Sequence, residues 1–130
     1  MKKSLPLAAA VLLLGACVPM IAASPGDPRQ TTVDVVDGRI TVDQEPIYVT
    51  TRGASIIWRV PTFASFRFPQ NDAITFKDAP EGEFRCNTNG NGRQVVCVDR
   101  YSKSGTFKYS IRLEQEGRSF KPLDPNVVND

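Results

Sequence analysis

The sequence contains no histidine. This absence excludes Ser-His-Asp and Cys-His catalysis, since both need an imidazole to move a proton. The three cysteines include no C-x-x-C pair and have no accompanying cluster of ligating side chains, so a metal or redox role is also disfavoured. We therefore expect no catalytic site, no metal and no cofactor.

Catalysis by other residue types has little support. A Ser-Lys dyad at residues 102–104 would lie in a polar turn, where a solvated loop is the simpler interpretation. Paired carboxylates could perform glycosidase-type chemistry, and the pairs available are Glu81 with Glu83 and Glu114 with Glu116. Nothing in the sequence places either pair in a cleft, so surface charge is the favoured interpretation.

The chain also lacks a large charge of one sign, with 16 Lys and Arg against 14 Asp and Glu. Removal of an N-terminal leader that carries Lys2 and Lys3 would leave 14 of each. No global basic field for nucleic acid then remains, and we expect no nucleic-acid partner. Ten arginines against four lysines would remain. That excess fits bidentate contacts with anions, although solvated strand faces explain it more simply.

The N-terminus has the features of an export signal. Lys2 and Lys3 precede an apolar run from Leu5 to Leu14, which is too short to cross about 30 Å of hydrocarbon as a helix. The run ends at Leu14-Gly15-Ala16-Cys17, which resembles the lipobox of bacterial lipoproteins. The alternative is ordinary signal-peptide cleavage after Ala23.

The resemblance to lipoproteins implies a location. Residues 1–16 would be the signal peptide, and Cys17 would be the lipid attachment site and the new N-terminus. Several acyl chains on one residue give stable membrane anchoring. Val18 stands where an aspartate would favour inner-membrane retention. The resemblance therefore implies lipid anchoring in the outer membrane, with the folded part on its periplasmic face.

The remaining chain divides into three segments. Residues 17–30 are rich in proline and glycine and predict a flexible tether. Residues 31–122 carry the strand patterns and predict one domain. Residues 123–130 predict a polar C-terminal tail.

Two hairpins are indicated by their turns. Asp37-Gly38 lies between β-prone runs, and a two-residue turn there would pair Val35 with Ile40 and Val33 with Val42. Between this hairpin and the second one, which contains Cys86 and Cys97, a continuous run of apolar residues at 56–58 predicts a central strand covered on both faces.

The second hairpin predicts a disulfide. A type I′ turn at Asn91-Gly92 would set Cys86 directly opposite Cys97, as a hydrogen-bonded pair with Cα atoms about 5.5 Å apart. The same register opposes Glu83 and Arg100, an opposite-charge pair. A turn at Asn89-Gly90 is the alternative and would break this symmetry. In an exported protein, two cysteines left after lipidation are expected to pair.

The fold predicted is an all-β, antiparallel β-sandwich of seven to nine short strands, with a small closed barrel such as an OB-fold as the alternative. Residues 106–114 alternate apolar and polar side chains, as a half-buried strand does. A strand ending at Trp58, aromatic residues at Phe66 and Phe68, and the late Phe107-Lys108-Tyr109 strand resemble cupredoxin-like domains. An immunoglobulin-like sandwich fits almost as well. Copper binding does not follow, because cupredoxin sites need two histidines and a cysteine.

Three functions remain as hypotheses. The first is a non-catalytic binding or structural module at the outer membrane, with an envelope protein as a possible partner. The second is a periplasmic immunity or inhibitor lipoprotein, and the third, less favoured, is a carboxylate-dependent envelope enzyme. Sites on such scaffolds usually lie in loops. The candidate interaction loop is the tip of the second hairpin, formed by Asn89, Gly90, Asn91, Gly92 and Arg93.

Overall fold

A computed structural model describes residues 29–130, and the predicted leader, Cys17 and nearly all of the predicted tether lie outside them. Residues 29–130 form strands and no helix, which confirms the all-β prediction for this part of the chain. They therefore include no helix long and apolar enough to cross a membrane. In chain order the strands are β1 (Gln30–Val36), β2 (Arg39–Val42), β3 (Ile47–Val49), β4 (Ser55–Arg59), β5 (Ile74–Phe76), β6 (Phe84–Thr88), β7 (Gln94–Asp99), β8 (Gly105–Ile111), β9 (Glu114–Gln115), β10 (Arg118–Ser119) and β11 (Asn126–Asn129).

Two open sheets form the sandwich. The first has the strand order β2-β1-β4-β7-β6 and the second has the order β3-β11-β8-β5, while β9 and β10 make a short separate ribbon. Each sheet has two edge strands, so neither closes into the barrel considered as an alternative. The pairings are antiparallel except for β1 with β4 and β3 with β11, which are parallel. The central position predicted for β4 is confirmed, with Ile57 half-buried on its outer face.

The first hairpin is formed as predicted. Asp37 and Gly38 have φ values of 54° and 76°, as a type I′ turn requires. Val33 pairs with Val42 and Val35 pairs with Ile40. The Asp-Gly turn and the apolar pattern thus determine the same register.

The second hairpin has the predicted register but a different turn. Cys86 and Cys97 lie opposite each other and form a disulfide. Their Cα atoms are 3.9 Å apart, which fits a non-hydrogen-bonded pair rather than the hydrogen-bonded pair predicted. The turn spans Asn89 to Gly92, with the Gly92 N–H donating to the Asn89 carbonyl at 3.0 Å. Gly92 has a positive φ and Asn91 does not, so the type I′ assignment was wrong.

Glu83 and Arg100 face each other through their backbones only. The Arg100 N–H donates to the Glu83 carbonyl at 2.8 Å. The Glu83 side chain is buried, and its carboxylate accepts hydrogen bonds from the backbone N–H and the hydroxyl of Ser102. The expected opposite-charge pair is therefore replaced by a contact between Glu83 and Ser102.

The segment predicted to be a polar tail belongs to the sheet. Asn126–Asn129 is β11, which lies between β3 and β8 in the second sheet. Val127 is fully buried and Asn129 is 2% exposed. The prediction for residues 123–130 was wrong because the partner strand β3 is almost 80 residues away in sequence, so no local pattern reports the pairing.

The core joins the two sheets through aromatic side chains. Trp58 of β4 and Tyr109 of β8 are fully buried, and their rings pack edge to face with centroids 5.2 Å apart. The Trp58 indole N–H donates to the Tyr109 hydroxyl at 3.2 Å. Phe66 and Phe68 are buried as well. The predicted alternation in β8 is confirmed by its burial pattern.

The strand directions define two ends of the sandwich. β4 runs parallel to β1 and antiparallel to β7, so residues 37–38, 60–73 and 89–93 connect strands at one end, which we call the Phe63 end. The opposite end carries residues 50–54, 77–83 and 100–104 and the last residue of β11, and we call it the Asp99 end.

Candidate functional site

The Phe63 end presents one strongly exposed aromatic side chain. Phe63 is 96% exposed, more than any other large hydrophobic residue in the described range. It lies in a turn that follows β4, in which the Ala64 N–H donates to the Pro61 carbonyl at 3.0 Å. Burying a phenylalanine contributes about 1.5–3 kcal/mol. The exposed Phe63 side chain therefore contributes little of this free energy to the stability of the fold.

The turn that carries Phe63 is held by an arginine from the second hairpin. The Arg93 guanidinium donates to the Ala64 carbonyl at 2.9 Å and to the Pro61 carbonyl at 3.4 Å. The Val60 N–H donates to the Arg93 carbonyl at 3.1 Å, which fixes the start of the turn on the same residue. Hydrogen bonds from a charged donor are among the stronger ones in proteins. Phe63 is thus exposed on a fixed turn.

The hairpin tip is ordered by its own side chains. The Asn89 side-chain oxygen accepts hydrogen bonds from the Arg93 N–H at 3.0 Å and from the Gln94 N–H at 3.2 Å. The Asn91 side-chain oxygen also accepts from the Arg93 N–H, at 3.0 Å. Asparagine commonly stabilises turns in this way. The tip therefore keeps one conformation that leaves Asn89, Gly90 and Asn91 exposed.

The base of the tip packs against the loop that follows Phe63. The Phe68 N–H donates to the Gly92 carbonyl at 2.8 Å. A Cβ atom built on Gly92 would lie 2.8 Å from the Phe68 carbonyl oxygen and 3.1 Å from the Arg67 Cβ. Gly92 is buried for this reason. Only glycine combines this close approach with a φ of 71°.

The structure divides the predicted interaction loop into two parts. Asn89, Gly90 and Asn91 are exposed and remain available for contact, whereas Gly92 is buried and Arg93 holds the neighbouring turn. Phe63, which lies beside this tip, was missed from the sequence. Pro61 marked the end of a strand and gave a signal for a turn, but no local pattern indicated that the phenylalanine within it would be exposed.

A shallow cavity of about 310 Å³ separates the tip from the Phe63 turn. It is lined by Arg59, Val60, Thr62, Asn89, Asn91 and Arg93, together with Gln94. None of these residues is acidic. The surface as a whole combines an aromatic side chain with amide and guanidinium groups, and aromatic residues and arginine are enriched at protein interfaces.

The two carboxylate pairs considered for catalysis differ in placement. Glu81 is exposed, whereas the Glu83 side chain is buried and accepts a hydrogen bond from Ser102. Glu114, on β9, and Glu116, in the turn of the β9–β10 ribbon, are both exposed and line one open cavity of about 590 Å³. Ser102 donates its hydroxyl to Glu83. Among residues 29–130, no group of three or more His, Cys, Asp and Glu side chains is placed to hold a metal ion.

One carboxyl group at the opposite end has an unusual environment. Asp99 is fully buried, and its Oδ1 accepts from the Tyr101 N–H at 2.8 Å and from the Asn129 side-chain amide at 3.3 Å. Burial raises the pKa of Asp99, the two hydrogen bonds oppose this, and the nearby Glu83 carboxylate adds to the rise. Asp99 Oδ2 and Asn129 Oδ1 have no hydrogen-bond partner within residues 29–130.

Comparison with known proteins adds no family to this description. No protein-family model matches the chain, and no curated protein is similar to it in sequence.

Proposed function

We propose that this protein is a non-catalytic binding module that is anchored by lipid on Cys17 to the outer membrane and displays its domain in the periplasm. The observation that carries the binding role is Phe63, an almost fully exposed aromatic residue on a turn that Arg93 holds in place. Because the backbone that carries the ring is already held before binding, little backbone entropy is lost when a partner covers the ring. The partner is an envelope protein with an apolar pocket for this ring.

The direction of β1 supports display of this surface away from the anchor. β1 begins at Gln30 beside Ile57 and runs parallel to β4, towards the Phe63 end. The described chain therefore enters the domain from the Asp99 end, and the Phe63 end lies at the opposite end of the sandwich, where a second protein can reach it.

Photocrosslinking tests the binding role. A photoreactive phenylalanine analogue would replace Phe63 in the full chain, and the same analogue would replace Tyr48 as a control, because Tyr48 is also exposed, at 46%, but lies on the edge strand β3. We expect one discrete crosslinked protein from position 63 in intact envelopes and none from position 48. Crosslinking of the same proteins from both positions, or of none from either, would contradict the proposal.

The anchor is tested separately. Mass spectrometry of the mature protein should find an N-terminal peptide that begins at an acylated Cys17, and Cys17→Ser should release the domain from the membrane fraction. A mature chain that begins at Ser24 and is released by osmotic shock would remove the anchor while leaving the binding surface untouched.

The fixed Phe63 turn also suits an immunity or inhibitor protein, since an aromatic residue on a rigid turn can occupy the cleft of a toxin or hydrolase. The crosslinked partner separates the two roles. Under the inhibitor hypothesis the partner is an enzyme whose activity falls when the purified protein is added, and Phe63→Ala abolishes that inhibition while Tyr48→Ala does not.

A further inference from the structure

Three arginines from different elements meet at one cavity on the Asp99 end. Arg85 lies on β6, Arg100 follows β7, and Arg52 lies in the turn between β3 and β4. They line a cavity of about 450 Å³ together with Gly53, Gly82 and Val98. This cavity shares no lining residue with the surface around Phe63.

Backbone hydrogen bonds hold the three arginines together. The Gly53 N–H donates to the Asp99 carbonyl at 2.9 Å, which fixes the turn containing Arg52 against the end of β7. The Arg100 N–H donates to the Glu83 carbonyl at 2.8 Å, and Arg85 pairs directly with Val98. Their convergence is therefore a property of the folded backbone.

The three positive charges are not neutralised by the described part of the protein. All three side chains are exposed, and within residues 29–130 none of their guanidinium groups makes an ion pair. Glu83 and Asp99, the carboxyl groups close to Arg85 and Arg100 in the sequence, are buried and hydrogen-bonded to Ser102, Tyr101 and Asn129. Glu81, which precedes Gly82, is exposed and lines a different cavity. No acidic residue lines the cavity.

We propose that Arg52, Arg85 and Arg100 form a binding site for a phosphate group. Guanidinium groups match phosphate oxygens with paired N–H donors, and three of them exceed what the two oxygens of a carboxylate can accept in bidentate fashion. Val98, which is 43% exposed, gives the cavity an apolar wall beside the charges. The site accepts either free phosphate or the phosphodiester of a lipid headgroup. It does not depend on the role proposed for Phe63.

Titrations followed by NMR test the site in the full-length protein. The probes are inorganic phosphate, short-chain phosphatidylglycerol below its micelle concentration, and acetate, all at constant ionic strength. We expect saturable shifts of the Gly53 and Gly82 amides and of the arginine side-chain signals. Saturation by both phosphate probes assigns the site to the phosphate group itself. Saturation by phosphatidylglycerol alone assigns it to a lipid headgroup.

Variants distinguish a specific phosphate site from nonspecific attraction of anions by positive charge. Arg85→Gln and Arg100→Gln should each weaken binding about fivefold, the effect expected of one arginine beside anionic lipid phosphate. Arg39→Gln is the matched control, because Arg39 is exposed on β2 and lines neither this cavity nor the one beside Phe63. The amide spectra establish that each variant is folded. Equal losses in all three variants, equal shifts with acetate, or no saturable shift with either phosphate probe would overturn the proposal.

Discussion

The two ends of the sandwich are stabilised in different ways. At the Phe63 end, hydrogen bonds from backbone amides, one guanidinium and the asparagine side chains of the tip hold the loops, and a glycine allows the closest contact. At the Asp99 end, two carboxyl groups lie at most 1% exposed, and two buried oxygen atoms have no hydrogen-bond partner within the described residues. The first end contains no buried ionisable group that the fold depends on, and the second contains two.

Because of this difference, we propose that the two ends recognise different kinds of partner. The Phe63 end leaves an apolar side chain in water on a fixed support, which suits contact with another protein. The Asp99 end turns its carboxyl groups inward and leaves three arginines outside, which suits an anion. We expect the stability of the second end to depend on pH, because burial raises the pKa of Asp99 in the folded chain. The following variants test whether the two ends respond separately.

The disulfide is one of the largest contributions to stability that we expect, and it bears on both ends of the sandwich. Cys86 and Cys97 lie in the middle of β6 and β7, which extend to both ends. The double variant Cys86→Ala/Cys97→Ala should lower the free energy of unfolding by about 3 kcal/mol, the value for a loop of this length. Denaturant unfolding measures it, and amide hydrogen exchange should rise at both ends. Faster exchange at one end only would show that the hairpin does not couple them.

A glycine pair tests the packing of the Phe63 end. Gly92→Ala should lower stability by about 2 kcal/mol, because the new methyl group would combine an unfavourable φ with a clash on the Phe68 carbonyl. Gly38→Ala is the control, since Gly38 has a φ of 76° but no neighbouring atom within 4 Å. It should lose only about 1 kcal/mol. Equal losses in chemical denaturation would mean that the close approach is unimportant.

The stability of the Asp99 end should change when one carboxyl oxygen of Asp99 is replaced by an NH₂ group. In Asp99→Asn, the new side-chain NH₂ can donate to the unpaired Asn129 oxygen, while the remaining oxygen keeps its two donors. We expect the variant to be about 1 kcal/mol more stable than the natural protein at pH 7. A variant less stable than the natural protein would show that Asp99 is needed as a carboxyl group.

The same variant should change the pH dependence. Because the pKa of Asp99 is raised in the folded state, Asp99 contributes its full share to the free energy of unfolding below the ordinary pKa of about 3.9. This contribution is lost as the pH rises through the folded-state pKa. In Asp99→Asn, this decrease in stability with rising pH should be absent. Asp124→Asn is the control, because hydrogen bonds from Ser110 and Lys77 lower the pKa of Asp124. Its small contribution is instead lost as the pH falls.

The sequence predicted the features that depend on neighbouring residues. Asp37-Gly38 determined one register. Asn91-Gly92 determined the other even though the turn type was wrong, because the observed strand pairing, with Asn89 opposite Gln94, is also centred on these two residues. The position of β11 could not be predicted, since its pairing with β3 spans most of the domain. The arginine cavity combines residues from three separate parts of the chain, 52–53, 82–85 and 98–100, and the excess of arginine indicated anion contacts without locating them.

The smallest expected effect on stability is that of Phe63→Ala, and this variant tests most directly whether the Phe63 end serves recognition rather than folding. Phe63 is 96% exposed, so its removal should change the free energy of unfolding by less than about 0.5 kcal/mol. Phe66, three residues later, packs on Phe120 with ring centroids 6.4 Å apart, and Phe66→Ala should cost about 3 kcal/mol or more. If Phe63→Ala leaves stability and phosphate binding unchanged but abolishes co-purification of the partner that the analogue at position 63 identifies, the ring serves recognition alone. A loss of stability comparable with that of Phe66→Ala would instead show that Phe63 is part of the fold.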